Sequence, residues 1–208
     1  IHKLWRFWPI SKSLDNIIIN GKKHSSVDFF RKTYDAVTQE DNTTDHQGVL
    51  GMGISVLRPD CTLNAHTGYH NNMPHNCVFR MHLPLSVPVI DKKPAGFDLC
   101  GLKLYENIDD PGYGHPVTKA TRHIEWREGQ LLVFDDSFKH EAWNITNQPR
   151  AILMIDYIDD NMIVNKFTGR SPLTNNIESV KDLAIGWHKF FIDELNNKNY
   201  INEYINKV

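Results

Sequence analysis

From Gln130 to Tyr157 the chain alternates short apolar runs with turn residues, and this rhythm constrains its fold more than any other feature. The run 130–134 (QLLVF) stops at Asp135-Asp136-Ser137, a second run follows at 141–145, and Asn147-Gln148-Pro149 precedes a third at 150–157 (RAILMIDY). Apolar runs of roughly four to eight residues between turn signals read as strands rather than helices. Similar runs occupy 49–57, 77–90 and 98–105, with Gly, Pro, Asn or Asp at most of the joins. Closely spaced strands of this kind predict an all-β barrel or sandwich.

Helical patterns flank the strands. Ser25-Ser26-Val27-Asp28 is a capping signal, and behind it Val27, Phe30, Tyr34 and Val37 recur at spacings of three and four, which predicts a helix over 26–38. Ile177, Val180, Leu183, Ala184, Trp187, Phe190, Phe191 and Leu195 form a second amphipathic stripe, expected to cover a face of the sheet. With no internal repeat and no long linker, the 208 residues, 40% of them hydrophobic, are expected to form a single domain over 1–208. Its core is expected at about 48–158, with an N-terminal helical flank over 1–47 and a C-terminal one over 170–208. Trp5, Phe7 and Trp8 are expected to pack on the barrel, a dimer contact being the alternative; the sequence does not specify an oligomeric state.

Charge and cysteine usage exclude several classes. The net charge is −2 with no block of like charges, so no nucleic-acid footprint is present. No apolar run approaches the roughly 18–20 residues that a membrane span needs. The first ten residues lack the small-residue cleavage pattern of a signal peptide. Cys61, Cys77 and Cys100 show no C-x-x-C spacing, so they read as idle thiols in a reducing compartment, and a cytoplasmic location is expected.

Three residues carry candidate chemistry. In Val78-Phe79-Arg80-Met81-His82-Leu83-Pro84, strand alternation puts Arg80, His82 and Pro84 on one face and apolar residues on the other. His82 is thereby placed to line a cavity, although a satisfied structural histidine fits the spacing as well. His140 follows Asp135-Asp136-Ser137, which suits metal ligands and equally suits a turn held by Asx and hydroxyl bonds. Arg150 opens a strand apolar on both faces, where burying a guanidinium is costly unless an anion meets it. A carboxylate would match its fork, while a surface Arg after the Pro149 turn is the plain alternative.

Longer motifs bear on these alternatives. The segment 126–156 holds Trp126-Arg127-Glu128-Gly129, then Phe134-Asp135-Asp136-Ser137-Phe138-Lys139-His140-Glu141-Ala142-Trp143-Asn144, then Arg150 and Ile155-Asp156. Upstream, 66–85 holds His66-Thr67-Gly68 and Asn76-Cys77-Val78-Phe79-Arg80-Met81-His82-Leu83-Pro84-Leu85. Both segments resemble the aspartyl/asparaginyl β-hydroxylase family of Fe(II)- and 2-oxoglutarate-dependent oxygenases, over roughly 50–157. The resemblance implies a mainly β fold, a double-stranded β-helix (jelly-roll, cupin-like barrel), here flanked by N- and C-terminal helices. It implies His82 and His140 as iron ligands, Arg150 as the grip on the distal carboxylate of 2-oxoglutarate, and O₂ as the oxidant. Lys103 falls where many members carry a basic residue near the cosubstrate.

One departure stands out. Oxygenases of this kind commonly complete the iron site with a carboxylate two residues after the first histidine, and Pro84 holds that position. Animal protein-hydroxylating members lack the carboxylate too, so the resemblance still implies a hydroxylase that releases succinate and CO₂ and attacks an unactivated C–H bond. Arg80, His66, His70 and His75 are the candidates for binding its substrate, with a structural ion pair as the alternative for Arg80; 69–75 reads as a substrate lid near the cavity or, equally, as a variable surface loop. The helical repeats and lumenal signal of animal members are not found in the sequence, which favours a small acid, an Asp- or Asn-like residue in a peptide, or a lipid-linked acyl chain. The competing readings are a halogenase of the same chemistry, a silent barrel that binds a partner, and a zinc hydrolase.

Overall fold

The structure, a computed structural model, describes residues 5–11, 17–19, 21–38, 49–68, 78–105, 120–136, 138–158, 168–170, 177–179 and 193. In chain order its elements are β1 (Trp5–Pro9), β2 (Ile17–Ile19), β3 (Lys22–His24), α1 (Ser26–Phe29), α2 (Arg31–Thr38), β4 (Val49–Leu57), β5 (Cys61–His66) and β6 (Val78–Ser86). They continue with β7 (Val89–Ile90), β8 (Lys93–Pro94), β9 (Cys100–Tyr105), β10 (Ala120–Glu125), β11 (Leu132–Asp135), β12 (His140–Asn144), β13 (Arg150–Ile158), β14 (Thr168–Arg170) and β15 (Ile177–Ser179). One sheet runs β1-β4-β13-β6-β11 and the other β10-β9-β12-β5. Apart from β1 and three small hairpins, the strands pair in nested order, β4 with β13, β5 with β12, β6 with β11 and β9 with β10, all antiparallel. That nesting is the jelly-roll, or double-stranded β-helix, expected from the sequence.

Alternation along each strand divides the apolar residues between two clusters. Leu57, Cys61, Cys100, Leu102, Phe134, Ala142 and Ile152 come from both sheets and meet inside the barrel with Trp126. The opposite parity of the first sheet, Met52 and Ile54 of β4, Leu83 of β6 and Leu153 and Ile155 of β13, packs outside against Val27, Phe30, Tyr34 and Val37. The helical flank thus seals the outer face of the larger sheet, and the interior is left to the other parity.

Two local details differ from the sequence reading. The helix expected over 26–38 is two helices, because Phe30 leaves helical geometry (φ −127°, ψ 29°) between them. Its first turn is capped as the sequence suggests, with Asp28 accepting the Ser25 N–H at 2.8 Å. The N-terminal segment also supplies a strand: β1 extends the first sheet along β4. A Cβ at Gly53 would meet the Phe7 ring and the Trp8 carbonyl at 2.5 Å, so only glycine admits that ring. Near the other end, Ile177–Ser179 pairs with Thr168–Arg170, so the helical stripe does not begin at Ile177. The rest of the stripe lies outside the described residues. No helix among the described residues is long and apolar enough to cross a membrane.

The turn that launches β13 is tied from inside. Asn144, fully buried, donates through Nδ2 to the carbonyls of Leu57 (3.1 Å), Arg58 (3.3 Å) and Gln148 (2.7 Å). Its Oδ1 accepts from the Thr146 hydroxyl at 2.6 Å and the Thr146 amide at 3.2 Å. Asn144→Ala removes these partners from buried groups and is expected to lower unfolding stability by about 2–3 kcal/mol. Urea denaturation of the variant beside the parent measures that loss.

Candidate active site

Strand β6 turns Arg80, His82 and Pro84 into the barrel, as alternation predicts. β12 and β13 open with His140 and Arg150. His82, His140 and Arg150 are 6%, 5% and 1% exposed, so all three reach the interior and none is a surface residue. Phe134 stands edge-on to both imidazoles, its centroid 5.1 Å from that of His82 and 5.4 Å from that of His140. Its ring fixes the spacing of the pair.

Both histidines are neutral. Burial pushes His140 down to about 3, His66 and Arg80 push the same way, and the Phe138 carbonyl opposes them. Burial also drives His82 well below the ordinary range, reinforced by Arg150, Arg80 and His140. His140 Nδ1 lies 2.9 Å from the Phe138 carbonyl, which can only accept. The ring hydrogen therefore sits on Nδ1 and Nε2 offers its lone pair. His82 Nδ1 instead receives the Trp126 indole N–H over a long 3.4 Å.

Arg150 has no such satisfaction. Its Nε and Nη1 find no hydrogen-bond partner among the described residues. The guanidinium lies 4.4 Å over the Trp126 ring. Burial lowers it to about 10, with Cys100 and Cys61 opposing the shift, so it is a cation at neutral pH. Those thiols are neutral, since burial raises Cys61 and lifts Cys100 to about 11. Among the described residues, then, a buried cation lies against an aromatic face, with two donors open.

Arg80 is the opposite case. Nε and Nη2 grip Asp156 Oδ1 and Oδ2 at 2.7 and 3.0 Å, and Nη1 lies 2.7 Å from Asp136 Oδ1. Arg80 was expected among the substrate-binding candidates; with its fork shared by two carboxylates it is a strut joining β6, β13 and the end of β11. Asp136 is fully buried, and desolvation pushes it upward against Arg80, with Asp156 and Asp135 adding to the rise. Its Oδ1 stands 3.7 Å from His140 Nε2. A Cβ at Gly68 would fall 1.6 Å from Asp136 Oδ2, so the glycine of His66-Thr67-Gly68 is the seat on which this carboxylate rests. Asp136 accordingly points inward, while the Asp135 carbonyl closes the turn by accepting the Phe138 N–H at 3.2 Å.

Lys103 needs a correction. Cys100, Leu102 and Leu104 take the inward parity of β9, which leaves Lys103 facing out. There its Nζ meets Glu141 Oε1 at 3.3 Å, beside a Tyr105 hydroxyl that donates to the same oxygen at 2.5 Å. It is not placed to touch a ligand inside the barrel. His66 is exposed beside His140, ring centroids 4.4 Å apart, with Nδ1 2.7 Å from the Asn64 carbonyl. It sits at the rim. His70 and His75 lie outside the described residues. Sequence reasoning missed Trp126, which lies between strands where no periodicity marks it. It also missed Asp156, which shares the inward parity of Arg150 and could have been found that way.

The barrel and these side chains define a jelly-roll protein whose interior combines two neutral imidazoles with an unpaired guanidinium. The chain belongs to the aspartyl/asparaginyl β-hydroxylase family, whose model matches residues 17–160. An ornithine lipid ester-linked acyl 2-hydroxylase from Rhizobium tropici is 32% identical over 111 residues, 53% of this chain and 30% of that protein. An aspartyl/asparaginyl β-hydroxylase from Mus musculus is 30% identical over 102 residues, 49% of this chain and 10% of that protein. The chain therefore matches about a third or less of the length of these relatives. The solved structure of a 2OG-Fe(II) oxygenase family oxidoreductase from Burkholderia pseudomallei aligns with a TM-score of 0.46 at 13% identity, over 75% of this chain and 69% of that one.

The strut makes a stability prediction. Arg80→Met leaves Asp136 and Asp156 buried without their cation and is expected to cost about 3–5 kcal/mol. Chemical denaturation should show that loss, with partial recovery when Asp156→Asn is added to the same chain.

Proposed function

We propose that the protein is an Fe(II)- and 2-oxoglutarate-dependent dioxygenase, a hydroxylase with His82 and His140 as metal ligands and Arg150 as the cosubstrate anchor. The observation that carries this reading is Arg150, a buried cation with two unpaired N–H donors, one indole ring away from His82. Met154 is level with His82, and Arg150 lies four residues before it on β13, roughly 13 Å away along the strand. An anion that satisfies Arg150 and reaches the histidines must be elongated, with a carboxylate at its far end. A five-carbon 2-oxo diacid meets that requirement: one carboxylate would take the guanidinium fork while the other end chelates the metal.

The donor set suits a ferrous ion. Among the described residues no three His, Cys, Asp or Glu side chains form a ready-made cage, which argues against a closed structural zinc site. Two neutral imidazoles would supply two positions and a chelating cosubstrate two more. Binding through His82 Nε2 requires the ring hydrogen on Nδ1, an exchange that the long indole contact does little to resist. Bound there, iron and 2-oxoglutarate would supply oxidative decarboxylation to succinate and CO₂, coupled to hydroxylation of an unactivated C–H bond. The chain's own residues would orient and exclude: Arg150 fixes the far carboxylate, Phe134 and Trp126 keep water from the centre, and His66 at the rim faces the incoming substrate. The substrate class is a carboxylate-bearing residue in a peptide, a small acid or a lipid-linked acyl chain, in line with the names of the relatives. The barrel, about 48–158, would be the catalytic core.

An anaerobic titration with Fe(II) and 2-oxoglutarate tests this through the visible metal-to-ligand charge-transfer band. The parent is expected to show the band and His140→Ala to lose it. Arg150→Ala is expected to need about a hundredfold more 2-oxoglutarate, whereas Lys103→Met should leave the affinity within about twofold, as befits an exposed ion pair. A folded, metal-loaded parent with no band would overturn the proposal.

A further inference from the structure

We infer that Trp126 is a positioning residue for the cosubstrate, its indole face standing in for the counter-ion of Arg150 so that the guanidinium N–H donors stay open to a carboxylate ligand. The inference rests on the oxygenase reading above. A buried arginine is ordinarily neutralised by an acid, as Arg80 is by Asp136 and Asp156. An acid against Arg150 would occupy the same in-plane donors that a ligand carboxylate needs, and the two would compete. An aromatic face stabilises the cation through its π cloud from above and takes none of those donors. The geometry has that form: the guanidinium carbon lies 4.4 Å from the indole centroid while Nε and Nη1 remain unpaired.

Trp126 is itself held firmly enough to do this. It is 1% exposed, packs in the interior cluster with Ile124 and Leu132 alongside, and its indole N–H lies 3.4 Å from His82 Nδ1. One ring thereby touches both the candidate metal ligand and the candidate anchor. The two contacts use different parts of the indole, so they can be separated. Phenylalanine keeps a π face for Arg150 and discards the N–H that meets His82; leucine discards both.

The test is the anaerobic charge-transfer titration on the full chain, with Fe(II) affinity measured separately by equilibrium dialysis without 2-oxoglutarate. Trp126→Leu is expected to weaken 2-oxoglutarate binding about tenfold or more, with Trp126→Phe recovering to within about threefold of the parent. Fe(II) affinity should stay within about threefold in both, since both imidazoles remain and the lost indole contact to His82 is long. A packing role would instead lower both affinities together, with no rescue by phenylalanine. Site-specific fluorinated tryptophans at position 126 drain the π face at nearly constant shape, so they test the idea even if leucine disrupts folding; 2-oxoglutarate affinity should fall stepwise with fluorination. Unchanged affinity across that series, or Trp126→Leu binding as tightly as the parent, would overturn the role of Trp126 while a parental band upholds the oxygenase reading. A parent without any band would overturn both.

Discussion

A cation buried to 1% exposure, with no carboxylate against it among the described residues, is expensive, and much of the barrel interior is arranged around that cost. Desolvating a guanidinium is worth several kcal/mol even after relaxation. The Trp126 ring, 4.4 Å from the guanidinium carbon, offsets part of it, and on the proposed reading a cosubstrate carboxylate supplies the rest. The turn before Arg150 is correspondingly rigid. Asn144 bonds three carbonyls across the barrel end, so the backbone that carries the cation cannot relax to let it snorkel toward water.

The second arginine shows what Arg150 would look like if its task were structural. Arg80 shares its fork between Asp156 on the neighbouring strand and Asp136 at the end of β11, and the cluster ties three segments that surround His140. Because Asp136 rests on Gly68, the same contact brings the end of β5, and with it His66, to the rim of the site. A side chain at Gly68 would displace Asp136 and, through Arg80, disturb the two strands carrying the candidate ligand and anchor. On the proposed reading the two arginines divide the work, one holding the walls and the other holding its charge for the cosubstrate.

Strand periodicity made the jelly roll and its interior parity legible. His82 facing inward opposite Leu83, and Arg150 buried at the head of a two-sided apolar strand, both follow from side chains alternating at period two. Spacing alone could not separate a ligand from a satisfied histidine, and the Phe134 ring that stands edge-on to both His82 and His140 is a tertiary contact with no sequence signature. The error at Lys103 has the same root. Its parity opposite Leu102 and Leu104 was readable and argues for an outward side chain, and only the family resemblance suggested otherwise. Trp5–Pro9 was hidden as a strand because its partner, Val49–Leu57, is some forty residues away and the glycine that admits Phe7 sits in that partner. Phe30 interrupts the expected helix through its own backbone (φ −127°, ψ 29°) while its ring still packs with Val27, Tyr34 and Val37 as the periodicity predicts.

Pro84 brings these features together. Inside a sheet, proline forfeits a ladder bond and is tolerated at bulges, and the β6–β13 register slips between Ala151 and Ile152 opposite Pro84 and Ser86. The fold therefore admits proline at the inward position where related chemistries place a carboxylate ligand. Electrostatics gives a reason why the carboxylate is dispensable. Asp136 and Asp156 both meet Arg80, and neither meets Arg150 among the described contacts. On the proposed reading a ferrous ion and a dianionic cosubstrate balance each other without a further acid. A carboxylate at position 84 would add a buried negative charge beside a pair that is already balanced, at a site where low polarisability makes every unpaired charge costly. Asp136, whose carboxyl burial pushes up to about 8, already stands 3.7 Å from His140 Nε2, so the candidate ligand has an acid beside it without one at position 84.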